Sequence, residues 1–358
     1  MSRSTATILE LQRLCPERVC LVKPSSLGDI VHALPVLSAI RELWPSATIS
    51  WVVNRGLRSL VEGHPDLDEA IPFDRSSARF SASGISSIGQ FLNGLRRKRF
   101  DLVVDLQGLL RSSLIARATG APVRIGLAEA REGATRFYTH CIASKASHAV
   151  DRMLAVAEAL GADVSRPRFQ VAWTEEDRAW ARTTLARMPR PLLVLNIGAR
   201  WETKRWPPKQ FAEVARRASS TFGAGLVVVG APEDRPLVAE LRRHLGALDW
   251  LDLCGQTTLP RLAAVSAEAD LFLSNDTGPL HLAAAAGAKV IGLYTCTDPA
   301  RTGPYGEQAI ALTTKVWCAS SRVKCCDRLD CMAELSPERV WPVVEARLGA
   351  LNARTRTA

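Results

Sequence analysis

Short continuous apolar runs alternate along this chain with longer stretches in which apolar positions recur at helical spacing. After a short leader with helical spacing (Ala6–Leu14), the runs Arg18–Val22, Thr48–Val53, Ala70–Phe73 and Leu102–Leu106 predict buried strands. Helices are expected at Ile30–Leu43, ended by Trp44-Pro45, and at Ile88–Arg97. Ser76–Ser87 is small and polar and reads as a mobile loop. Residues 107–170 are more basic and less regular.

A charged helical stretch, Thr174–Met188, separates this half from a second alternation. Its strands are expected at Leu192–Ile197, Gly225–Gly230, near Leu251, at Leu271–Leu273 and at Val290–Tyr294. Helices fall at Pro208–Ser219, near Arg235–Leu245, at Leu259–Ala267 and at Pro279–Ala286, the last stopping at Gly287. Strands that alternate with helices imply parallel pairing, so the fold class is α/β, doubly wound in each half. The pattern divides the chain into an N-terminal domain (1–172), a linking helix (173–190), a C-terminal domain (191–340) and a C-terminal helix and tail (341–358). A cleft between two such domains is a favoured ligand site.

The polar turns that follow the buried strands hold the candidate chemistry. Asn275-Asp276-Thr277-Gly278-Pro279-Leu280-His281 leaves a strand, turns and enters a helix with Pro at its first position. Free N–H groups and the helix dipole suit this turn to a phosphate. A phosphate repels a carboxylate, so Asp276 beside it points to hydroxyls, hence to a phosphate carried on a sugar. Capping of the helix by Asp276 or Thr277, with His281 an ordinary first-turn residue, accounts for the same residues.

In the first half Gly28-Asp29 lies where a strand hands over to a helix, and Asp29 suits either a general base or an N-cap. In the second, Lys204 or Arg205 could neutralise a pyrophosphate, and Glu233 could accept hydrogen bonds from a ribose or simply favour a helix start.

Composition narrows the class. Hydrophobic residues make up 47% and charged residues 23% of 358, ordinary for a globular protein of two domains. No apolar run reaches membrane-spanning length, and Met1-Ser2-Arg3-Ser4-Thr5 lacks a signal-peptide layout, which together predict a cytoplasmic protein. A net charge of +10 suits an anionic partner, and few aromatic residues are interleaved with the basic ones, so nucleic acid is not expected. Cys318, Cys325, Cys326 and Cys331 gather late without repeated C-x-x-C spacing, so no metal site is expected. Neither a dinucleotide fingerprint nor a P-loop is present.

With these pieces assembled, the chain resembles glycosyltransferase family 9, the heptosyltransferases of the lipopolysaccharide inner core. The matching stretches are Lys23-Pro24-Ser25-Ser26-Leu27-Gly28-Asp29-Ile30-Val31-His32-Ala33-Leu34-Pro35, Asp105-Leu106-Gln107-Gly108-Leu109, Lys204-Arg205-Trp206-Pro207, Gly230-Ala231-Pro232-Glu233 and Asn275 to His281. The resemblance implies a GT-B fold: two Rossmann-like doubly wound domains facing across a cleft, acceptor on the N-terminal one and donor on the C-terminal one. It implies inverting, metal-independent transfer of heptose from ADP-heptose, without a cofactor, to an anionic Kdo-lipid A or inner-core acceptor. The enzyme would work peripherally at the cytoplasmic face of the inner membrane.

Residue by residue, the resemblance makes Asp29 the base and Lys204 the pyrophosphate partner. Thr203, Glu233, Asp276, Thr277, Gly278 and His281 become donor contacts, and Ser26 and Gly28 acceptor contacts. The basic region Arg96-Arg97-Lys98-Arg99, with Arg111, Arg131 and Arg152, is assigned to the anionic acceptor or lipid head groups, Arg111 and Arg131 as acceptor contacts. The stretches Thr297-Asp298-Pro299 to Gly306 and Ser147 to Arg152 are similar to the enzyme that adds the first heptose, whereas the cysteine-bearing tail is similar to second-heptose enzymes. A family 9 transferase with another nucleotide sugar or acceptor, or a GT-B nucleotide-sugar epimerase, is the alternative. A non-catalytic sugar-nucleotide binder is a third.

Overall fold

The computed structural model describes residues 8–74 and 82–356. They divide into two compact units, Met1–Ala172 and Trp173–Ala358. In the first unit the strands are β1 (Arg18–Val22), β2 (Thr48–Asn54), β3 (Glu69–Phe73), β4 (Leu102–Asp105), β5 (Val123–Leu127) and β6 (His140–Ile142), in the order β3-β2-β1-β4-β5-β6. In the second they are β7 (Leu192–Asn196), β8 (Gly225–Val229), β9 (Leu251–Asp252), β10 (Leu271–Asn275), β11 (Val290–Tyr294) and β12 (Ala309–Thr313), in the order β12-β11-β10-β7-β8-β9. Every pairing is parallel. Each unit thus has the doubly wound order in which the chain starts at the centre, winds to one edge and returns to wind to the other.

That topology fixes where a ligand can bind. In an open doubly wound sheet the crevice lies beyond the carboxyl ends of the strands at which the winding reverses. Here these are β1 and β4 in the first unit, with Val22 level with Asp105, and β7 and β10 in the second, with Ser274 level with Asn196. The central strands reach this position because they are apolar on both faces: Val19 to Val22, Leu192 to Leu195 and Leu271 to Leu273 are fully buried.

Helix α1 (Leu27–Leu43) follows β1, α2 (Ala82–Arg97) follows β3, α3 (Leu110–Ala118) follows β4, and α4 (Ala149–Leu160) closes the first unit. Helix α5 (Glu175–Leu185) opens the second unit and packs on α8 (Leu259–Ala267), with Arg261 over the Trp180 ring at 4.8 Å. Helix α6 (Pro208–Phe222) follows β7 and ends at Gly223, whose φ of 65° needs no Cβ. Then come α7 (Arg235–Leu245), α9 (Gly278–Ala285), the short α10 (Pro299–Thr302) and α11 (Asp330–Glu334), and α12 (Pro337–Arg356), which packs on α6.

Several elements depart from the sequence pattern. Helix α1 begins at Leu27 rather than Ile30, because Ser26 supplies the cap. Of the loop expected at Ser76–Ser87, residues 75–81 lie outside the described residues and Ala82 onward is helix. The irregular stretch 107–170 contains α3, β5, β6 and α4. Strand β5 escapes the pattern because Arg124 and Gly126 interrupt its apolar residues. Strand β12 is not among the expected elements either, although Ala309 to Leu312 is an apolar run; it is only half-buried throughout.

Candidate active site

In the first unit the loop after β1 turns at once into α1. Ser26 is the N-cap of that helix and Asp29 its third residue; the Asp29 Oδ2 accepts from the Ser26 N–H (2.9 Å) and from its Oγ (2.6 Å). The capping box draws Asp29 to the mouth of the switch point. Capping and a functional role therefore coexist on this carboxylate.

Beneath it lies Lys23, 6% exposed, whose ammonium donates to the Leu106 carbonyl at 3.0 Å at the end of β4. Burial lowers the Lys23 pKa, Asp29 and Asp105 oppose that, and Arg131 adds to it. For Asp29, burial favours the neutral form, but Lys23, the two Ser26 bonds and His32 outweigh it and hold the carboxyl below its ordinary range. Asp29 is thus ionised at neutral pH, the state a base needs.

Asp105 organises the neighbouring loop. Its carboxylate accepts from Tyr138 Oη (2.7 Å), Ser112 Oγ (2.7 Å) and the N–H groups of Gln107 (2.9 Å) and Gly108 (3.2 Å). Gly108 in turn accepts from the Arg131 N–H at 2.8 Å. Arg111 is exposed in the first turn of α3, and the preceding Leu110 N–H donates to Glu132 (3.2 Å), which brings this helix start to the Arg131 loop. Ser26, Gly28, Asp29 and Arg131 therefore share one strand-end region, with Arg111 at its edge. Among the basic residues of the run 96–99, Lys98 is paired with Glu69 at 2.6 Å.

In the second unit the equivalent turn is more tightly knit. Asn275 accepts from the Trp206 N–H (3.0 Å) and donates to the Ile197 carbonyl (2.8 Å), which ties the end of β10 to both sides of the long loop after β7. Asn196 donates to Ser274 Oγ (2.9 Å) and Thr277 Oγ1 (3.0 Å). Thr277 is the N-cap of α9, yet its side chain makes no capping bond to that helix start. Thr277 therefore caps by its backbone position alone, and Asp276 spends its carboxylate elsewhere.

Asp276 faces the opposite way. Its Oδ2 accepts from the Lys204 ammonium and from Thr297 Oγ1 (2.5 Å), while Oδ1 lies 3.7 Å from His281 Nε2. Burial raises the carboxyl pKa, but His281, Lys204 and Thr297 overcome it and hold Asp276 far below the usual range. The Tyr294 hydroxyl, buried beside this carboxylate, has its own pKa driven well up, by burial first and then by the negative charge.

The remaining expected contacts are placed differently. Thr203 is 3% exposed and its hydroxyl donates to the Val323 carbonyl (2.6 Å), which secures the loop. Glu233 is exposed in the short turn Pro232–Asp234. That turn lies against the β7 loop: a Cβ on Gly198 would meet the Asp234 carboxyl at 2.2 Å. Sequence reasoning missed the roles of Lys23, Asn196, Asn275 and Thr297. Lys23 was signalled by a cation directly after a buried strand. Among the described residues no group of His, Cys, Asp and Glu is arranged to hold a metal ion, and no helix is long and apolar enough to cross a membrane.

The family model for glycosyltransferase family 9 (heptosyltransferase) matches residues 88–332. The chain belongs to glycosyltransferase family 9. It is 30% identical over 294 residues to the lipopolysaccharide core heptosyltransferase OpsX of Haemophilus influenzae, covering 81% of this chain and 82% of that protein. It is also 30% identical over 358 residues to lipopolysaccharide heptosyltransferase 1 of Pseudomonas aeruginosa, covering 92% and 98%. Among solved structures, the Escherichia coli heptosyltransferase WaaC with ADP superposes with a TM-score of 0.74 at 27% identity, covering 92% of this chain and 99% of that one. The family 9 chain is a glycosyltransferase, and its two doubly wound units are those of a GT-B fold.

Proposed function

We propose that this family 9 transferase moves heptose from ADP-heptose to the Kdo/heptose inner core of a lipid A precursor, with inversion and without a metal. One observation carries the reading: at the switch point of the second unit, Lys204, Asp276 and His281 gather beside a helix start whose N-cap side chain makes no capping bond. A diphosphate fits there, its oxygens on the α9 N–H groups and the Lys204 ammonium, while ionised Asp276 accepts from sugar hydroxyls. The solved relative that carries ADP supports the nucleotide.

In this reading the first unit takes the acceptor. Asp29 removes the proton from the attacking hydroxyl as the bond from the anomeric carbon to the diphosphate oxygen breaks, and Lys204 with the α9 N-terminus stabilises the departing ADP. Arg131 and Arg111 lie where they would meet the negative groups of the acceptor. Glu233 at the β8 end is the nucleoside contact. The lipid acceptor places the enzyme in the cytoplasm, peripherally at the inner membrane.

Mass spectrometry of the protein incubated with ADP-heptose, with and without Kdo-lipid A, tests this. Heptose added to the lipid is the expected result. Conversion of ADP-heptose without acceptor would indicate an epimerase instead, and no binding of ADP-heptose would remove the donor assignment.

A further inference from the structure

We propose that Lys324, on the cysteine-bearing segment that the donor-site loops strap down, is a second cation for the donor diphosphate. The inference rests on the donor site proposed above. The segment 316–330 is far from the β7 loop in sequence and is bound to it in space. Thr203 Oγ1 donates to the Val323 carbonyl at 2.6 Å, the Arg322 N–H donates to the Cys296 carbonyl at 2.7 Å, and the Ser320 N–H donates to the Thr295 carbonyl at 3.3 Å. Thr295 Oγ1 donates back to the Thr203 carbonyl, and Thr203 Oγ1 also meets Cys296 Sγ at 3.4 Å. The two residues after β11, Thr295 and Cys296, and the residue before Lys204 thus hold one backbone stretch, Ser320 to Val323, in place. Ser320 and Arg322 adopt φ values of 59° and 61°, a conformation that side chains avoid unless their surroundings impose it.

The next residue is Lys324. Its ammonium lies 5.3 Å from the centre of the Trp201 ring, and the Lys204 ammonium lies 4.6 Å from the same ring. The two charges are no farther apart than those two distances together, about one Debye length at physiological salt, so they act on one anion. Cations close to each other repel, and holding two beside one ring is disfavoured unless a negative charge is present to share.

Charge balance supplies the reason for the second cation. Lys204 is already paired with Asp276, so that pair brings no net charge to a diphosphate, which carries several negative charges. Lys324 is exposed and adds the positive charge that Lys204 has spent on its partner. The Trp201 ring that both approach provides a flat apolar support for the two ammonium groups. The strap gives Lys324 a fixed origin, which an exposed lysine on an unanchored loop would lack.

The test is calorimetric titration of ADP into the full-length wild type and into Lys324→Gln, Lys324→Arg and Lys204→Gln, with thermal unfolding of each. Lys324→Gln should weaken ADP binding about tenfold and reduce its salt dependence, with the melting temperature unchanged, and Lys324→Arg should restore most of the affinity. ADP bound equally by wild type and Lys324→Gln would overturn the role of Lys324 and leave the donor site standing. Wild-type protein that binds no ADP would overturn the donor site itself, and the inference with it.

Discussion

Lys204 and Asp276 form an ion pair across the switch point of the second sheet, joining the loop after β7 to the turn after β10. Their side chains are 16% and 7% exposed, so neither charge has ready access to water once its partner is gone. Removal of one member of such a pair strands the other. Lys204→Met and Asp276→Leu should each destabilise the fold by about 3 kcal/mol, while the double substitution costs clearly less than the two together. Denaturant unfolding of the four proteins measures this. Additive costs would mean that the pair does not act as a unit.

The same carboxylate gives acid sensitivity a defined sign. The folded-state pKa of Asp276 lies below the ordinary value of 3.8, so its ionised form is what the fold favours. Its contribution is fully present above that ordinary value and is lost as pH falls through the folded-state value. Wild type should therefore exceed Asp276→Asn in unfolding free energy by a constant margin from pH 6 to 7.5, and the margin should shrink below about pH 4. A margin independent of pH down to strongly acid solution would show that Asp276 carries no such linkage.

How much of this was legible in the sequence follows from burial. The central strands β1, β4, β7, β8, β10 and β11 are covered on both faces, so each is a continuous apolar run with a polar turn behind it. Those turns hold the switch points, which is why Asp29, Lys204 and Asp276 could be singled out. Strands β5 and β6 lie toward a sheet edge, where Arg124, Gly126 and His140 break up the apolar run, and the edge strand β12 is only half-buried. Nothing local shows that the Thr203 hydroxyl is taken by Val323, 120 residues away. Helix α1 also began earlier than the apolar spacing indicated, since the Ser26–Asp29 capping box extends it past its first buried residue.

The proposed general base, Asp29, and the lysine beside it can be separated by pH. Asp29→Ala should lower turnover by about 10² to 10⁴ with little change in ADP affinity, the share usually supplied by a base. Burial would raise the Asp29 pKa, and Lys23 is the leading influence that instead keeps it low. Lys23→Gln retains a donor for the Leu106 carbonyl and deletes the charge, so the acid limb of kcat/KM should move to higher pH. An unmoved limb would mean that Lys23 does not set the ionisation of Asp29, and unchanged turnover in Asp29→Ala would remove that residue from the chemistry.

Gly126 links the sheet to the first-unit site by close contact. It sits level with Asp105 on the neighbouring strand, and a Cβ at this position would lie 2.3 Å from the Tyr138 ring. The Tyr138 ring is buried and packed over the glycine while its hydroxyl donates to Asp105, so it cannot swing aside without giving up that bond. Asp105 in turn holds the N–H groups of Gln107 and Gly108 and the Ser112 hydroxyl, and the adjoining Leu106 carbonyl receives Lys23. Gly126→Ala should therefore cost about 2–3 kcal/mol through overpacking and the strained hydrogen bond. It should also lower kcat/KM, because displacement of the β4 loop carries Lys23 away from Asp29. Thermal unfolding and steady-state rates on the same protein decide it: loss of stability with full activity would show that the loop after β4 does not position the base, and a change within about 0.5 kcal/mol would show that the Tyr138 ring yields freely.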